Sequence, residues 1–439
     1  MNIILDFNEL SQTTNTTEKI LKQFPKISID NVIKIVYEKF KEMLSNYLEQ
    51  IDRKISLELS SNNNVKLVSK RKKTIKTPFG LFTFYRRYYL YTLEHSETYF
   101  YALDELLGIR PRTQYTDGCK LELAFKASEL TYRQAGETIS NEFVASKSTV
   151  YRSIKNLNVK QVIPTKITNN QDKIHLQIDE KYVSIRNEKH KKRLYTATIF
   201  KGRFLYGKNK NKAKLLNKTV FSANSVPLLA LKANEILKKV YNCNPNEEIY
   251  ISGDMASYIR NFNERITTAN AIYVADKFHV FRDFMKYTGI HLENNSFDSN
   301  EKILEHLNEL QAIKEEKILL NPEFKKLLNL LKNQPYSLRH YNDEKYQGCS
   351  QECMNSRIYA VRFGKLTNKF NFNTILKLSE IKEAIINDSK LTLEFKQGDC
   401  YKHSIINSIE RMELEKYVID TSEMSYSMRK LFTSIKYGH

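Results

Sequence analysis

The chain has 439 residues, and 70 lysines and arginines against 50 aspartates and glutamates give it a formal net charge of +20. A hydrophobic content of 41%, aromatics at 11% and a mean hydropathy of −0.52 allow a sizeable core and exclude both a disordered and a membrane-embedded polypeptide. Five cysteines suit a reducing compartment, no apolar run approaches the ~20 residues of a bilayer span, and MNIILDFNEL lacks a basic n-region, so a cytoplasmic protein is expected.

In chain order, residues 28–52 read as an amphipathic helix with Val32, Ile33, Val36, Phe40, Met43, Leu44, Tyr47, Leu48 and Ile51 on one stripe, a packing face or a dimer seam. Two strands follow, 65–68 and 81–91, around the turn Thr77-Pro78-Phe79-Gly80. Between Arg53 and Arg87 ten cations stand against Glu58 alone. Lys70, Arg71, Lys72, Lys73, Arg86 and Arg87 are the candidate nucleic-acid contacts there, since clustered charge with interleaved aromatics points to a polyanion. Residues 100–157 turn helical. Segments 131–140 and 146–157 resemble a helix-turn-helix, with Lys147 and Arg152 on the second helix positioned to meet DNA.

From Ile174 the texture is α/β. Strands are expected at 174–178, 182–185 and 194–200, a helix at 225–241, a strand at 248–252, a helix at 256–266 and a strand at 271–275. Three strands followed by helix, strand, helix, strand is the order of a ribonuclease H-like fold. A second basic stretch, from Arg186 to Lys218, holds twelve cations against Glu188, with Lys191, Lys192, Arg193 and Arg203 the candidate backbone contacts. Residues 282–335 are helical in pattern, an all-α insertion before a last helix near Ser350.

Acids close selected elements. Asp179 ends the first strand, Asp254 the fourth, and Glu352 opens the helix beyond the insertion. Carboxylates fixed at strand ends suit two Mg²⁺ or Mn²⁺ ions, hard cations that take oxygen ligands and pair to activate one oxygen and stabilise another. Glu180 neighbours Asp179 but points to the opposite face of a strand, so at most one of the two meets the metals. Asp276 and His279 are a possible auxiliary ligand and phosphate contact, or a structural pair. Cys349, Cys353, Cys400 and His403 have partial zinc spacing, yet the pairs lie far apart and zinc is not favoured. No Walker-type loop or serine-hydrolase motif is present.

Four local patterns complete the reading: Thr77-Pro78-Phe79-Gly80 with Tyr85-Arg86-Arg87-Tyr88-Tyr89; Leu103-Asp104-Glu105-Leu106-Leu107-Gly108; Ile251-Ser252-Gly253-Asp254-Met255-Ala256-Ser257-Tyr258-Ile259; and Asp276-Lys277-Phe278-His279. On them the chain resembles bacterial insertion-sequence transposases of the ISLre-two family, DDE transposases with a Mutator-like arrangement. Asp179-Glu180-Lys181 stands where that family usually has Asp-Glu-Asp, and Cys353-Met354-Asn355 also departs from its pattern. The resemblance implies metal-dependent cleavage of double-stranded DNA at element ends, then attack of the freed 3′-hydroxyl on target DNA, by a homo-oligomer working on the bacterial nucleoid. The alternatives are an inactive or domesticated DNA-binding protein and a hydrolytic nuclease.

The expected division is an N-terminal helical region at 1–60, a basic β-hairpin at 61–99, a helix-turn-helix-like domain at 100–160, a catalytic core at 174–281 and 341–380, an all-α insertion at 282–340, and a C-terminal region at 381–439.

Overall fold

A computed structural model of the chain describes residues 29–93, 96–158, 162–166, 172–207, 212–254, 256–276, 279–280, 282, 285–286, 346–364 and 370–389. The chain divides into two units, one comprising Met1–Leu123, Gly136–Ser146 and Phe395–His439, the other Ala124–Ala135 and Lys147–Glu394. Residues 100–160 are therefore shared between the units. The expected all-α insertion lies outside the described residues except for 282, 285 and 286, as do Cys400, His403 and residues 390–439.

In the first unit the initial helical pattern forms α1, Ile29–Leu59. It precedes an antiparallel sheet of β1 (Val65–Thr77), β2 (Gly80–Leu93) and β3 (Ser96–Phe100), in that order. Both hairpin strands are longer than expected, because the lysine run 70–73 continues the β1 ladder. Alternation into a core is not needed where an edge strand is largely exposed. The turn is tight. Thr77 Oγ1 accepts from Phe79 N at 3.1 Å and donates to Gly80 O at 2.9 Å. Gly80 has φ +118°, and a Cβ there would lie 2.6–2.7 Å from the Glu142 carboxylate, which accepts from Leu81 N and Lys41 Nζ, each at 2.7 Å. Glycine is thus favoured by conformation, since an L side chain is strained at this φ.

The core of this unit joins Leu48, Ile55 and Leu59 of α1 to Phe82, Phe84, Tyr89, Phe100 and Leu103. Asp52 sits fully buried among them and accepts from Arg87 Nη1 at 2.7 Å and from Arg87 N at 3.3 Å. Arg86, 8% exposed, pairs with Asp104 in the short α2 (Ala102–Leu106) and stacks on Tyr101 at 3.5 Å. Gly108, at φ +63°, turns the chain away from α2. Next come α3 (Asp117–Glu129) and α4 (Tyr132–Glu137).

The second unit begins its own elements with α5, Lys147–Asn156, which buries Val150, Ser153 and Ile154. Its sheet contains β4 (Ile174–Val183), β5 (Lys192–Lys201), β8 (Thr219–Ala223), β9 (Glu248–Gly253) and β10 (Asn270–Ala275) in the order β10-β9-β4-β5-β8. The first three in sequence pair antiparallel; β9 runs parallel to β4, and β10 parallel to β9. A separate ribbon, β6 (Arg203–Tyr206) with β7 (Lys212–Leu215), leaves the sheet after β5.

Two strand assignments from sequence change. Tyr182–Val183 belongs to β4, which runs straight past Asp179, and the third strand is β8 instead. Its Thr-Val-Phe-Ser-Ala is too short and too polar to stand out by periodicity. The expected helix 256–266 is a short α7 (Ser257–Arg260) and a 3₁₀ turn (Asn263–Arg265). The expected helix 225–241 is α6, Val226–Lys239, with Pro227 in its first turn.

One face of the sheet is apolar. Ile174, Leu176, Ile178, Ala197, Ile199, Ile249 and Ile251 pack there with Leu229, Ala233 and Leu237 of α6. The other face carries buried polar side chains, His175, Gln177, Thr196, Thr198, Ser222 and Ser252. Against this side lie α8 (Gln351–Asn355), a π turn (Ser356–Ala360), α9 (Val361–Phe363) and α10 (Phe372–Ile386). The β8 edge is closed by one side chain: Asn387 accepts from Val220 N at 2.8 Å and donates to Val220 O at 2.7 Å, as a further strand would. Among the described residues no helix is long and apolar enough to cross a membrane.

Glu105 in α2 is a test of packing in the first unit. Both carboxyl oxygens are buried without a hydrogen-bond partner, and burial pushes its pKa up to about 7. The folded state then binds more protons than the unfolded chain between the ordinary carboxylate range and pH 7. Stability therefore falls as pH rises through that window and stays reduced above it. Glu105→Gln is expected to raise the melting temperature by about 2–4 °C at pH 8, and by much less at pH 4.5. Equal shifts at both values in thermal denaturation would contradict an ionised, unsolvated Glu105.

Candidate active site

Strand register brings the acids together. Ile178 of β4 lies opposite Gly253 of β9, and Gly253 opposite Ala275 of β10. Asp179, Asp254 and Asp276 each follow one of these residues, so the three occupy the same level on three neighbouring strands about 4.8 Å apart. Gly253 permits the approach: a Cβ there would lie 2.4 Å from Ile178 O and 3.0 Å from Ile259 Cδ1. Beyond β9 the chain turns as Asp254 Oδ1 accepts from Ala256 N at 3.1 Å, while Asp276 N donates to Gly253 O at 3.1 Å.

Asp179 and Glu180 diverge, as neighbours in a strand do. Asp179 Oδ2 accepts from Asn355 Nδ2 at 2.6 Å, and its Oδ1 from Glu180 N at 2.7 Å. Glu180 instead meets Arg193, Nη1 to Oε2 at 3.6 Å, and the hydroxyls of Tyr182 and Tyr258. Asn355 is 4% exposed, and its Oδ1 accepts from Thr196 Oγ1 at 2.6 Å, with Gln351 Nε2 at 3.3 Å from the same hydroxyl. Two residues before Asp179 on the same face, fully buried Gln177 donates to Gly348 O at 2.8 Å and accepts from Ser350 N at 3.1 Å and Ser350 Oγ at 3.2 Å. Residues 348–355, which include Glu352 in α8, are thereby tied to β4 and β5.

Gln177, Thr196, Gln351 and Asn355 were not singled out from sequence. The only available signal was period two: Gln177 and Asp179 must share a face, and a polar residue beside a candidate acid is a candidate partner.

Burial pushes the Asp179 carboxyl up to about 6, and the Asp254 charge adds to the rise. The hydrogen bonds from Glu180 N and Asn355 and the nearby His279 oppose it. Tyr258 and Tyr273 hydroxyls are also pushed up by burial first and then by surrounding acids, Glu180 foremost for Tyr258 and Asp254 for Tyr273. Asp276 lies 3.7 Å from His279 Nε2, an ion pair when the imidazole is protonated. Asp276 also lines a cleft of about 390 Å³ with Arg203, Gly348 and Cys349, and burial, then Asp276, pushes the Cys349 thiol up.

Among the described residues no group of three or more His, Cys, Asp and Glu side chains is placed to hold a metal ion. A pair of carboxylates is nonetheless a fitting start for a hard divalent cation, which commonly takes one or two and completes its shell with water and phosphate. Asp179 and Asp254 form such a pair. The raised Asp179 pKa comes first from burial, and the neighbouring Asp254 charge adds to it.

The candidate DNA contacts separate into two groups. Arg86 and Arg87 are engaged with Asp104 and Asp52, Lys70 pairs with Glu49, and Lys73 donates to Thr113 O at 2.8 Å. Lys72, Lys147, Arg152, Lys191, Lys192, Arg193 and Arg203 are exposed. Arg71, also exposed, lies over the Tyr88 ring at 4.1 Å. Lys192 pairs with Glu188 at 2.8 Å, and Arg203 donates to Gln347 O.

The docking of 348–355 gives a direct prediction. Gln177→Leu removes three hydrogen bonds and leaves Gly348 O and Ser350 N without their partner, a loss of about 1–3 kcal/mol. Amide hydrogen exchange at 348–355 is expected to accelerate while β5 and β9 stay protected; unchanged exchange there would show that Gln177 is not the tie.

No curated protein matches the chain. A family model does, over residues 26–366, a span that includes the hairpin turn, Asp179, Asp254, Asp276 and α8. The chain belongs to the uncharacterised protein family UPF0236.

Proposed function

We propose that the chain is a DDE-type DNA transposase with a ribonuclease H-like catalytic core. The observation that carries this reading is the register that sets Asp179, where β4 parts from β9, level with Asp254 at the end of β9, in a sheet whose order by sequence is 5-4-1-2-3. That order, with two antiparallel pairings followed by parallel strands and acids on the central strand and its parallel neighbour, supports a ribonuclease H-like reading. The four sequence patterns shared with ISLre-two transposases support the same conclusion.

In this reading Asp179 and Asp254 hold Mg²⁺ or Mn²⁺, and Glu352, on the helix tied to β4, is the third acid. When bound, two such ions lower the pKa of an attacking water or hydroxyl and stabilise the leaving oxygen at a phosphodiester. The protein's own contribution is positional. Asn355 and the Glu180 backbone N–H fix both Asp179 oxygens, and Gly253 lets β9 lie close enough for Asp254 to share the site. Exposed Lys191, Lys192, Arg193 and Arg203 on β5, its approach and β6 supply phosphate contacts by counterion release. On α5, Lys147 and Arg152 face solvent where a groove-reading helix needs them. Arg86 and Arg87 are left out of this interface, since their guanidinium groups are held by buried carboxylates.

The test uses duplex DNA carrying the flanks of the gene with Mg²⁺ or Mn²⁺. The wild-type chain is expected to nick the ends and join them to a target plasmid. Asp179→Ala and Asp254→Ala are expected to lose at least about 100-fold in both steps while retaining salt-sensitive DNA binding. Undiminished nicking by Asp254→Ala would overturn the site. Nicking without joined products would indicate a hydrolytic nuclease.

A further inference from the structure

We infer that the amino-terminal half of α1 is a dimer seam, a two-stranded coiled coil made with α1 of a second copy of this chain. The inference is independent of the catalytic reading. Helix α1 carries two apolar stripes. Leu44, Leu48, Ile51, Ile55 and Leu59 pack into the core of their own unit. The second stripe does not: Ile29 is 77% exposed, Ile33 52%, Val36 62%, Phe40 52%, Met43 50% and Tyr47 47%.

The spacing of this second stripe is four, three, four, three, four. It resolves into two interleaved seven-residue repeats, Ile29-Val36-Met43 and Ile33-Phe40-Tyr47, the a and d positions of a coiled-coil heptad. The next two seam positions are Gln50 and Lys54, so the repeat ends where the helix settles onto its own sheet. Apart from Ile35, 47% exposed at a c position, the exposed large apolar residues of this half of the helix hold to a and d, a stripe narrower than the face a helix buries against a globular core and complementary to another helix with the same repeat. A second α1 is such a helix.

Size and charge agree with that occupant. The seam extends about 27 Å along the helix axis. Six large apolar side chains half to three-quarters exposed present on the order of 600 Å² per helix, or about 1,200 Å² for a pair, the lower bound of a specific interface. Orientation follows from Lys39, which flanks the seam at a g position. A parallel, in-register pair sets Lys39 beside position 44 of the other helix, a leucine. An antiparallel pair burying the same six residues sets Lys39 against its own symmetry mate, a like-charge contact.

The test is sedimentation velocity on the full chain between about 1 and 50 μM. The wild-type protein is expected to be dimeric at the upper concentration. Val36→Glu and Phe40→Glu place a charge in the apolar seam and are expected to raise the dimer dissociation constant at least about 100-fold. Their far-ultraviolet circular dichroism should be unchanged, since neither side chain belongs to the core. Glu38→Gln, off the seam, should leave the dimer intact. Val36→Cys, absent in the wild-type chain, should give a disulfide-linked dimer on mild oxidation, because parallel d positions face one another. A wild-type chain that is monomeric at 50 μM, with the stripe covered by residues 1–28 of its own chain, would overturn the proposal. So would a Phe40→Glu chain that dimerises normally, or a dimer that Val36→Cys fails to cross-link.

Discussion

The arrangement around Asp179 depends on one constraint: the second unit's sheet buries polar side chains on one of its two faces. His175, Gln177, Thr196, Thr198, Ser222 and Ser252 are removed from water there, and buried donors and acceptors must find partners within the protein. Gln177 finds the backbone of 348–350, and Thr196 finds Asn355. Ser222 bonds Glu383 of α10, which also accepts from Tyr359 OH at 2.9 Å. The elements after residue 346 are therefore not merely laid on the sheet by apolar contact. Residues 348–355 are tied to β4 and β5, and Glu383 of α10 to β8, by directional bonds, and this fixes the register of α8 relative to β4.

The same logic sorts the positive charge. A net charge of +20 suggests a uniformly cationic surface, but several of the most conspicuous cations serve folding. Asp52 and Asp104 are buried carboxylates with raised desolvation cost, tolerable only because Arg87 and Arg86 reach them. A motif as basic as Tyr85-Arg86-Arg87-Tyr88-Tyr89 thus reads as a polyanion site from composition and as a core tie from structure. Exposed cations lie on α5, around the start of β5 and on the β6–β7 ribbon, and Arg71 and Lys72 of β1 are exposed as well. Such positions, and not Arg86 and Arg87, are where long-range attraction of a polyanion acts.

How much of this was legible in the sequence depended on whether a residue's partner was near or far along the chain. Apolar alternation marked Ile174, Leu176 and Ile178, and small-residue punctuation marked Gly253-Asp254, so the strands bearing Asp179 and Asp254 could be placed. The Thr77-Pro78-Phe79-Gly80 turn was equally visible, being decided within four residues. Gln177, Thr196 and Asn355 were not visible, because their partners lie 155 to 176 residues away and a polar residue in a strand ordinarily signals an exposed face. Strand β8 escaped for a related reason. All five of its residues are buried, yet two are Thr and Ser, and its edge is satisfied by Asn387 and not by another strand.

The position of Asp179 ties these threads together. Strand β4 is flanked by an antiparallel neighbour, β5, on one side and a parallel one, β9, on the other. At Ile178 the pairing with β9 stops while that with β5 continues, so from Asp179 onward β4 has one free side facing the end of the parallel strands. Open sheets offer their binding crevice where connections diverge in this way. A carboxylate placed one residue earlier would face the apolar core with Ile178. One placed later would move along the β5 ribbon, away from Asp254. At this residue alone does the side chain fall on the polar face, level with Asp254 and within reach of Asn355. The raised pKa of Asp179 follows from that confinement: burial first, then the charge of its neighbour, disfavour the ionised form, and the fixed donors Glu180 N and Asn355 offset only part of the rise. A free carboxylate on a surface loop would relax away from such a neighbour; this one, built into the centre of a five-stranded sheet, has nowhere to go.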